Sequence, residues 1–311
     1  MYKVVIDCDP GHDDVFAIGL AAKHLDIVGI TTVCGNSTLE NTTRNALIAR
    51  ELFLTDFVPV ISGANVPING VEPRFTTAHG VSGLDGPRSR IPALEKNQGV
   101  AHEFLIEQSF LHDGLWIIAI GPLTNVALAC RKDINFAKRI AGVSVMGGSA
   151  SFGNVTSAAE YNTWFDPHAA DEVFRSGCRL KMCGLDLTHQ LGIGPKFGEA
   201  LRAVGSDASI FCAELFDYYY AYAESIFPEN SAPTQDVLAP LHDPCAVLAL
   251  THPEFFESMD VSIQVETTGL VTKGMTVVDQ RPWMISRDTN VELMTAIDAV
   301  RAIDVIVESF R

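Results

Sequence analysis

The segment DCDPGHDD places four aspartates, Asp7, Asp9, Asp13 and Asp14, within eight residues, directly after the apolar run KVVI. Carboxylates repel one another, so such crowding calls for a compensating partner. Three readings compete: a hard-cation site, a phosphoryl-transfer aspartate, and a solvated acidic loop. A helix beginning at Asp13–Asp14 would favour anions by only ~0.3–1 kcal/mol, too little to hold several carboxylates together. A divalent cation neutralises them directly, and oxygen donors suit Ca²⁺ or Mg²⁺ rather than zinc. Ca²⁺ takes roughly 6–8 oxygens, so the rest must come from elsewhere in the chain, from water or from a substrate. A single aspartate here would read as a helix cap facing solvent; four at a strand end favour a site.

Other segments could complete it. GPLTN (Gly121–Asn125) follows an apolar run and could turn a backbone carbonyl toward the same crevice. PLHDPC (Pro240–Cys245) sets His242 beside Asp243, pairing a carboxylate with an acid that titrates near neutrality. GN occurs twice, in CGNSTLEN (Cys34–Asn41) and in FGNVTSAAEYNTWFDP (Phe152–Pro167), the second supplying Asn154, Glu160 and Asn162. Amides and carboxylates grouped this way suit several hydroxyls, as on a sugar, although either stretch alone reads as an ordinary loop. A DxD phosphatase with Asp7 as nucleophile is an alternative, but Pro-Gly-His follows the second Asp where such enzymes carry Gly-Thr or a similar pair.

Apolar runs expected as strands must position these groups: Lys3–Ile6, Ile27–Val33, Val58–Ile61, Leu115–Ile120, Ala141–Met146, Leu180–Leu185 and, near the end, Val291–Ile297. Most lack in/out alternation, as strands buried on both faces do. Helices are expected between them: one over residues 14–24, one opened by a Ser37/Glu40 capping box and running through Phe53, one capped by Asp166 with Pro167 in its first turn and closed by Gly177, and a last one capped by Asp298. The β-α-β-α order predicts an α/β fold, a doubly wound, mostly parallel central sheet flanked by helices, Rossmann-like, as one large domain over residues 1–311. Ligands of such sheets sit beyond the carboxyl ends of the strands, where Asp7 and Asp9 fall. The stretch Phe227–Pro240 has the composition of a long active-site loop.

The 311 residues are 47% hydrophobic and 19% charged, enough for a sizeable core and against disorder. The net charge of −16 and the lack of a basic patch exclude a nucleic-acid partner. Seven cysteines without a CxxC pair read as free thiols of a reducing compartment. No apolar run reaches the ~18 residues that span a bilayer, and a strand begins at Tyr2. A cytoplasmic protein without a membrane partner is expected.

Taken in order, DCDPGHDD, GNSTLEN, HGVSGLDGP (His79–Pro87), GPLTN, VMGGSASFGNVTSAAEYN (Val145–Asn162) and LHDPC (Leu241–Cys245) resemble the inosine–uridine nucleoside hydrolase family. The resemblance implies calcium-dependent hydrolysis of the N-glycosidic bond of ribonucleosides to ribose and free base. It implies Asp9, Asp14, Asp243 and the Thr124 carbonyl as Ca²⁺ ligands, with Asp9 also as general base. Asp13 and Asn36 match residues that hold the water and the 2′ side of the ribose. Asn154, Glu160 and Asn162 match those gripping the rest of the sugar, and Met146 lines its pocket. Asp7 falls behind the ligands. His242 matches the acid that protonates the leaving base outside the purine-specific branch. His79 is expected on a loop over the pocket, or as a turn-stabilising residue. Phe227 and the tyrosines of DYYYAYAESIF (Asp217–Phe227) are candidates to stack on the base, although consecutive tyrosines cannot share one helix face. Uridine, cytidine and inosine are the expected substrates, and a homotetramer or dimer the expected assembly. A non-catalytic nucleoside-binding protein is the remaining alternative, set against every mapped catalytic position holding a suitable residue.

Overall fold

The computed structural model describes residues 1–54, 57–226, 238–281, 283 and 289–311. The strands are β1 (Lys3–Cys8), β2 (Asp26–Thr32), β3 (Val60–Ser62), β4 (Trp116–Ala119), β5 (Gly142–Met146), β6 (Leu180–Cys183), β7 (Gly192–Ile193), β8 (Ala239–Pro240), β9 (Phe256–Val261), β10 (Ile263–Val265), β11 (Thr276–Val278) and β12 (Val291–Ile297). The helices of the first half are α1 (His12–His24), α2 (Leu39–Phe53), α3 (Ala101–Leu111), α4 (Thr124–Lys132) and α5 (Phe136–Arg139). Those of the second half are α6 (Tyr161–Phe165), α7 (Pro167–Arg175), α8 (Leu185–Thr188), α9 (Pro195–Val204), α10 (Asp207–Ser225), α11 (Pro244–Thr251) and α12 (Ala299–Glu308).

Among the described residues, eight strands form the central sheet in the order β3-β2-β1-β4-β5-β6-β12-β9. Every pairing is parallel except that of β12 with the edge strand β9. The chain winds outward from β1 in both directions, so β1 and β4 flank the point where strand order reverses. A crevice opens there at the carboxyl ends of the strands. Two apolar layers cover the faces. Val4 and Ile6 pack into one with α1 and α11 residues such as Phe16 and Val247, while Val5 packs into the other with Val126 and Val173. This one-residue alternation is the pleat of a strand buried on both sides.

The seven expected strands are present as sheet members. Three features differ from the sequence reading. Thr38, not Ser37, caps α2, its side chain accepting from the Asn41 N–H; the Ser37 hydroxyl is engaged instead with the Val81 carbonyl at 3.1 Å. Helix α1 starts at His12, two residues early. The edge strand β9, the short β7–β8 pair and the antiparallel β10–β11 pair were not anticipated: β9 is mostly exposed and lacks the continuous apolar run of its neighbours. Asp166 caps α7 as expected, and Gly177 follows that helix at φ 79°, a conformation that costs glycine little. Among the described residues no helix is long and apolar enough to cross a membrane, and the seven cysteines are free.

Candidate active site

β1 ends in Asp7 and Cys8, and the chain turns through Pro10–Gly11 into α1, so Asp9, Asp13 and Asp14 all gather over the switch point. Asp243 joins them from the N-cap of α11, with Pro244 in its first turn. All five aspartates are buried. One carboxylate oxygen from each of Asp13, Asp14 and Asp243 lies within 4.8 Å of the others. Among the described residues no lysine or arginine pairs with any of the five; the nearest cationic candidate is His79, whose Nε2 is 3.9 Å from Asp13 Oδ1.

The hydrogen bonds separate their roles. Asp7 Oδ1 accepts from the Thr31 hydroxyl at 2.6 Å and from Asn125 Nδ2 at 2.8 Å. It lies behind the cluster and does not line the cavity, where a phosphatase nucleophile would have to be. Asp9 Oδ2 accepts from the Asn36 N–H at 2.7 Å, whereas Asp9 Oδ1 is buried without a hydrogen-bond partner. Asp14 accepts from the N–H groups of Asp9 and Gly11 and from Asn36 Nδ2. Burial, and next the charge of Asp14, raises Asp9 well above the usual carboxylate range. Burial and then Asp13 push Asp14 up to about 8 and raise Asp243 strongly. Asp7 rises only to about 6, because Thr31 and Asn125 oppose its burial.

This donor set fits a hard divalent cation. It consists of carboxylate oxygens, it has no cationic side chain among the described residues to balance it, and two buried oxygens, Asp9 Oδ1 and, behind the cluster, Asp7 Oδ2, lack a hydrogen-bond partner. A buried orphan acceptor costs of order 1–3 kcal/mol unless something meets it. Thr124 stands at the first position of α4, and its hydroxyl donates to Asp166 at 2.7 Å.

A cavity of about 250 Å³ lies over the cluster. Asp13, Asn36 and Asp243 line it on the acidic side; Asp9 and Asp14 are fully buried and do not line it. Met146, Asn154, Glu160 and Asn162 line a second wall. Asn162 spends its amide hydrogens on the Ile120 and Met146 carbonyls, both at 3.1 Å, which leaves its carbonyl oxygen to accept. Glu160 caps α6: its Oε2 takes the N–H groups of Gly148 and Thr163, while Oε1 takes only that of Asn162. Asn154 sits exposed on the loop before it.

The far wall is aromatic. His79, His242, His189, Tyr219 and Tyr222 line it, with Ile226. His79, His12 and Tyr219 form a cluster of three near-parallel rings, with centroids 5.2, 5.9 and 6.1 Å apart. Of the tyrosine run, Tyr219 and Tyr222 reach the cavity, Tyr218 stacks on His12, and Tyr220 packs on Phe216, as a helical turn requires. Phe227 lies outside the described residues. His242 Nδ1 is 2.7 Å from the Thr188 hydroxyl, and burial lowers the ring to about 4. The sequence reading missed Tyr161, His189, Thr188 and His12. The DPGHDD context of His12 and the place of Tyr161 between Glu160 and Asn162 were local signals; His189 and Thr188 reach the site through folding alone.

Comparison with known proteins agrees with this geometry. The family model described as inosine-uridine preferring nucleoside hydrolase matches residues 4–304. The chain is 37% identical to the pyrimidine-specific ribonucleoside hydrolase RihA of Shewanella baltica over 311 residues, covering 99% of this chain and 96% of that one. A RihA of Escherichia coli O127:H6 is likewise 37% identical, covering 99% of this chain and 98% of its own. Among solved structures, a purine-preferring ribonucleoside hydrolase from Gardnerella vaginalis superposes with a TM-score of 0.90 at 27% identity, covering 99% of this chain and 98% of that one. The chain therefore belongs to the inosine-uridine preferring nucleoside hydrolase family and is an enzyme that hydrolyses ribonucleosides.

Proposed function

We infer that the chain cleaves uridine, cytidine and inosine to ribose and free base with a resident Ca²⁺. The observation that carries this reading is the unpartnered buried Oδ1 of Asp9 within an acidic cluster that faces an aromatic wall across one small cavity. The pyrimidine-specific relatives support the first two substrates.

In this reading Asp9, Asp14, Asp243 and the Thr124 carbonyl hold the cation. When bound, Ca²⁺ would offset the repulsion among the carboxylates and make a coordinated water more acidic. Asp13 and Asn36 bind the 2′ side of the ribose. The Asn162 carbonyl oxygen, Glu160 Oε1 and Asn154 take the remaining hydroxyls, and Met146 packs beneath the sugar. Asp9 takes a proton from the attacking water as its oxygen bonds to C1′. The C1′–N bond breaks, its electron pair goes to the base, and the base takes a proton from the imidazolium form of His242, which is left neutral. Proton exchange with solvent restores Asp9 and His242. The ribose passes through an oxocarbenium-like state, which the surrounding carboxylates stabilise. Proton donation to the leaving group is worth typically ~10²–10⁴-fold. His79, Tyr219 and Tyr222 contact the base.

The test is reducing-sugar release from uridine, cytidine, inosine and adenosine, each with and without a strong chelator. Chelator-sensitive release that is fastest with the pyrimidines and inosine supports the reading. Release that survives complete chelation refutes the calcium requirement, and a preference for adenosine refutes the substrate assignment.

A further inference from the structure

We propose that Tyr161 is a positioning residue whose hydroxyl fixes the Gly35–Asn36 peptide and, through that peptide, the Asp9 carboxylate. The inference rests on the reading that Asp9 takes the proton of the attacking water, and deepens it. Tyr161 is the first residue of α6. Glu160 and Asn162 flank it, and all three line the cavity. Its ring packs beside those of Trp164 and Phe165, with centroids 6.1 and 5.9 Å away. Its hydroxyl lies 2.5 Å from the Gly35 carbonyl, 126 residues away in the chain. A carbonyl only accepts, so the phenol is the donor.

That carbonyl and the Asn36 N–H belong to one peptide group, which is planar and turns as a unit. The N–H donates to Asp9 Oδ2 at 2.7 Å. It is the one donor to the Asp9 carboxylate among the described residues. Hydroxyl, peptide and carboxylate thus form a series in which each bond polarises the next. Oδ2 is held, and Oδ1 is left without a partner, free to meet a cation or a water. Asn36 is anchored on its own side by its amide, which donates to the Asp9 carbonyl and to Asp14 Oδ2. The Gly35 side has no such anchor. Gly35 can carry no side chain, because a Cβ there would stand 2.0 Å from Asp9 Oδ2, and a glycine leaves the backbone freer to turn than other residues do. The Gly35 carbonyl meets no hydrogen-bond donor but Tyr161 among the described residues. Without that bond the peptide can turn, withdraw its N–H and release the carboxylate.

The test uses the full chain, stripped of divalent cations and then titrated with Ca²⁺. Tyr161→Phe keeps the ring and removes the hydroxyl. Calorimetry should show about tenfold weaker Ca²⁺ binding, and uridine kcat at saturating Ca²⁺ should fall about tenfold, with KM within about twofold of the wild type. The same change made on top of Asp9→Asn should cost almost nothing further in either quantity, because the hydroxyl then has no carboxylate to hold. Replacement of Tyr161 by para-aminophenylalanine, whose N–H still donates, should recover both. Wild-type kcat or wild-type Ca²⁺ affinity in Tyr161→Phe overturns the proposal. So does a loss that the para-amino side chain does not relieve, or one that multiplies in full with that of Asp9→Asn, the mark of a hydroxyl that is merely structural or grips the substrate itself. Failure of the underlying reading looks different: Asp9→Asn alone would then turn over uridine as fast as the wild type.

Discussion

The backbone N–H of Asp9 donates to Oδ1 of Asp14 at 3.2 Å, so two members of the acidic cluster are tied within a single turn. Asn36 reinforces the link from the loop between β2 and α2, its Nδ2 donating to the Asp9 carbonyl at 3.2 Å and to Asp14 Oδ2 at 3.3 Å. Hydrogen bonds within the fold thus arrange these carboxylates against their mutual repulsion.

That repulsion sets a pH dependence for protein stripped of divalent cations. Folding pushes Asp14 up to about 8, through burial first and Asp13 second, whereas an unfolded aspartate sits near ~3.9. Between these values the folded chain holds a proton that the unfolded chain releases. The contribution to stability is fully present below the unfolded value and is lost as pH rises through about 8. Asp9 and Asp243 are shifted in the same direction. Buried His12, His79 and His242, held by burial below the ordinary histidine value, add stability as pH rises to about 7, so the melting temperature of chelated protein should fall as pH rises from about 7 to about 8, and saturating Ca²⁺ should raise it most at the upper end. A melting temperature that climbs over this range without Ca²⁺ would contradict the clustered-acid account.

Asp9→Asn should lower uridine turnover by ~10²–10⁴-fold, the range for a lost general base. Ca²⁺ should still raise the melting temperature of this variant, because Asp14 and Asp243 remain. Ribose release at the wild-type rate would remove Asp9 from the proposed role.

Two glycines hold the Asp9 carboxylate in place. A Cβ on Gly35 would stand 2.0 Å from Asp9 Oδ2, and one on Gly121 would stand 2.5 Å from Asp9 Oδ1. The carboxylate is fully buried, so it can yield only by pressing on its buried neighbours. Gly35→Ala and Gly121→Ala should each displace it, costing at least about tenfold in kcat, since a 1 Å misplacement can cost ~10²-fold. Overpacking should also cost about 1–3 kcal/mol of stability. Steady-state kinetics and urea unfolding together check both effects; unchanged kcat in both variants would show that the carboxylate has slack.

Asp7 has a different duty. Asp7→Ala deprives the Thr31 hydroxyl and Asn125 Nδ2 of their shared acceptor. Leaving buried donors unpaired should cost about 1–3 kcal/mol, read from the urea midpoint. Stability equal to the wild type would mean that water or a rearranged Asn125 satisfies both donors.

Much of this protein is legible in its one-dimensional chain. Short apolar runs rich in β-branched residues, such as VVI and WIIA, read as strands covered on both sides, and helices between them make the sheet parallel. The acids of DCDPGHDD are local: a strand, a Pro-Gly turn and a helix start bring them together whatever the rest of the chain does. What is not local was not legible. The edge strand β9 carries exposed polar residues, so only its pairing with β12 marks it as a strand. Asp243 reaches the cluster from 229 residues beyond Asp14 because α11 packs beside α1. Which tyrosines face the cavity depends on how α10 is rotated against its neighbours. Thr188 looks like any helix-end threonine until tertiary packing sets its hydroxyl against His242. Short-range sterics and hydrophobic patterning determine which elements form and which acids share a turn. Only the packing of those elements decides which distant side chains meet, because a hydrogen bond needs approach to within about 3 Å, and no sequence spacing encodes that distance.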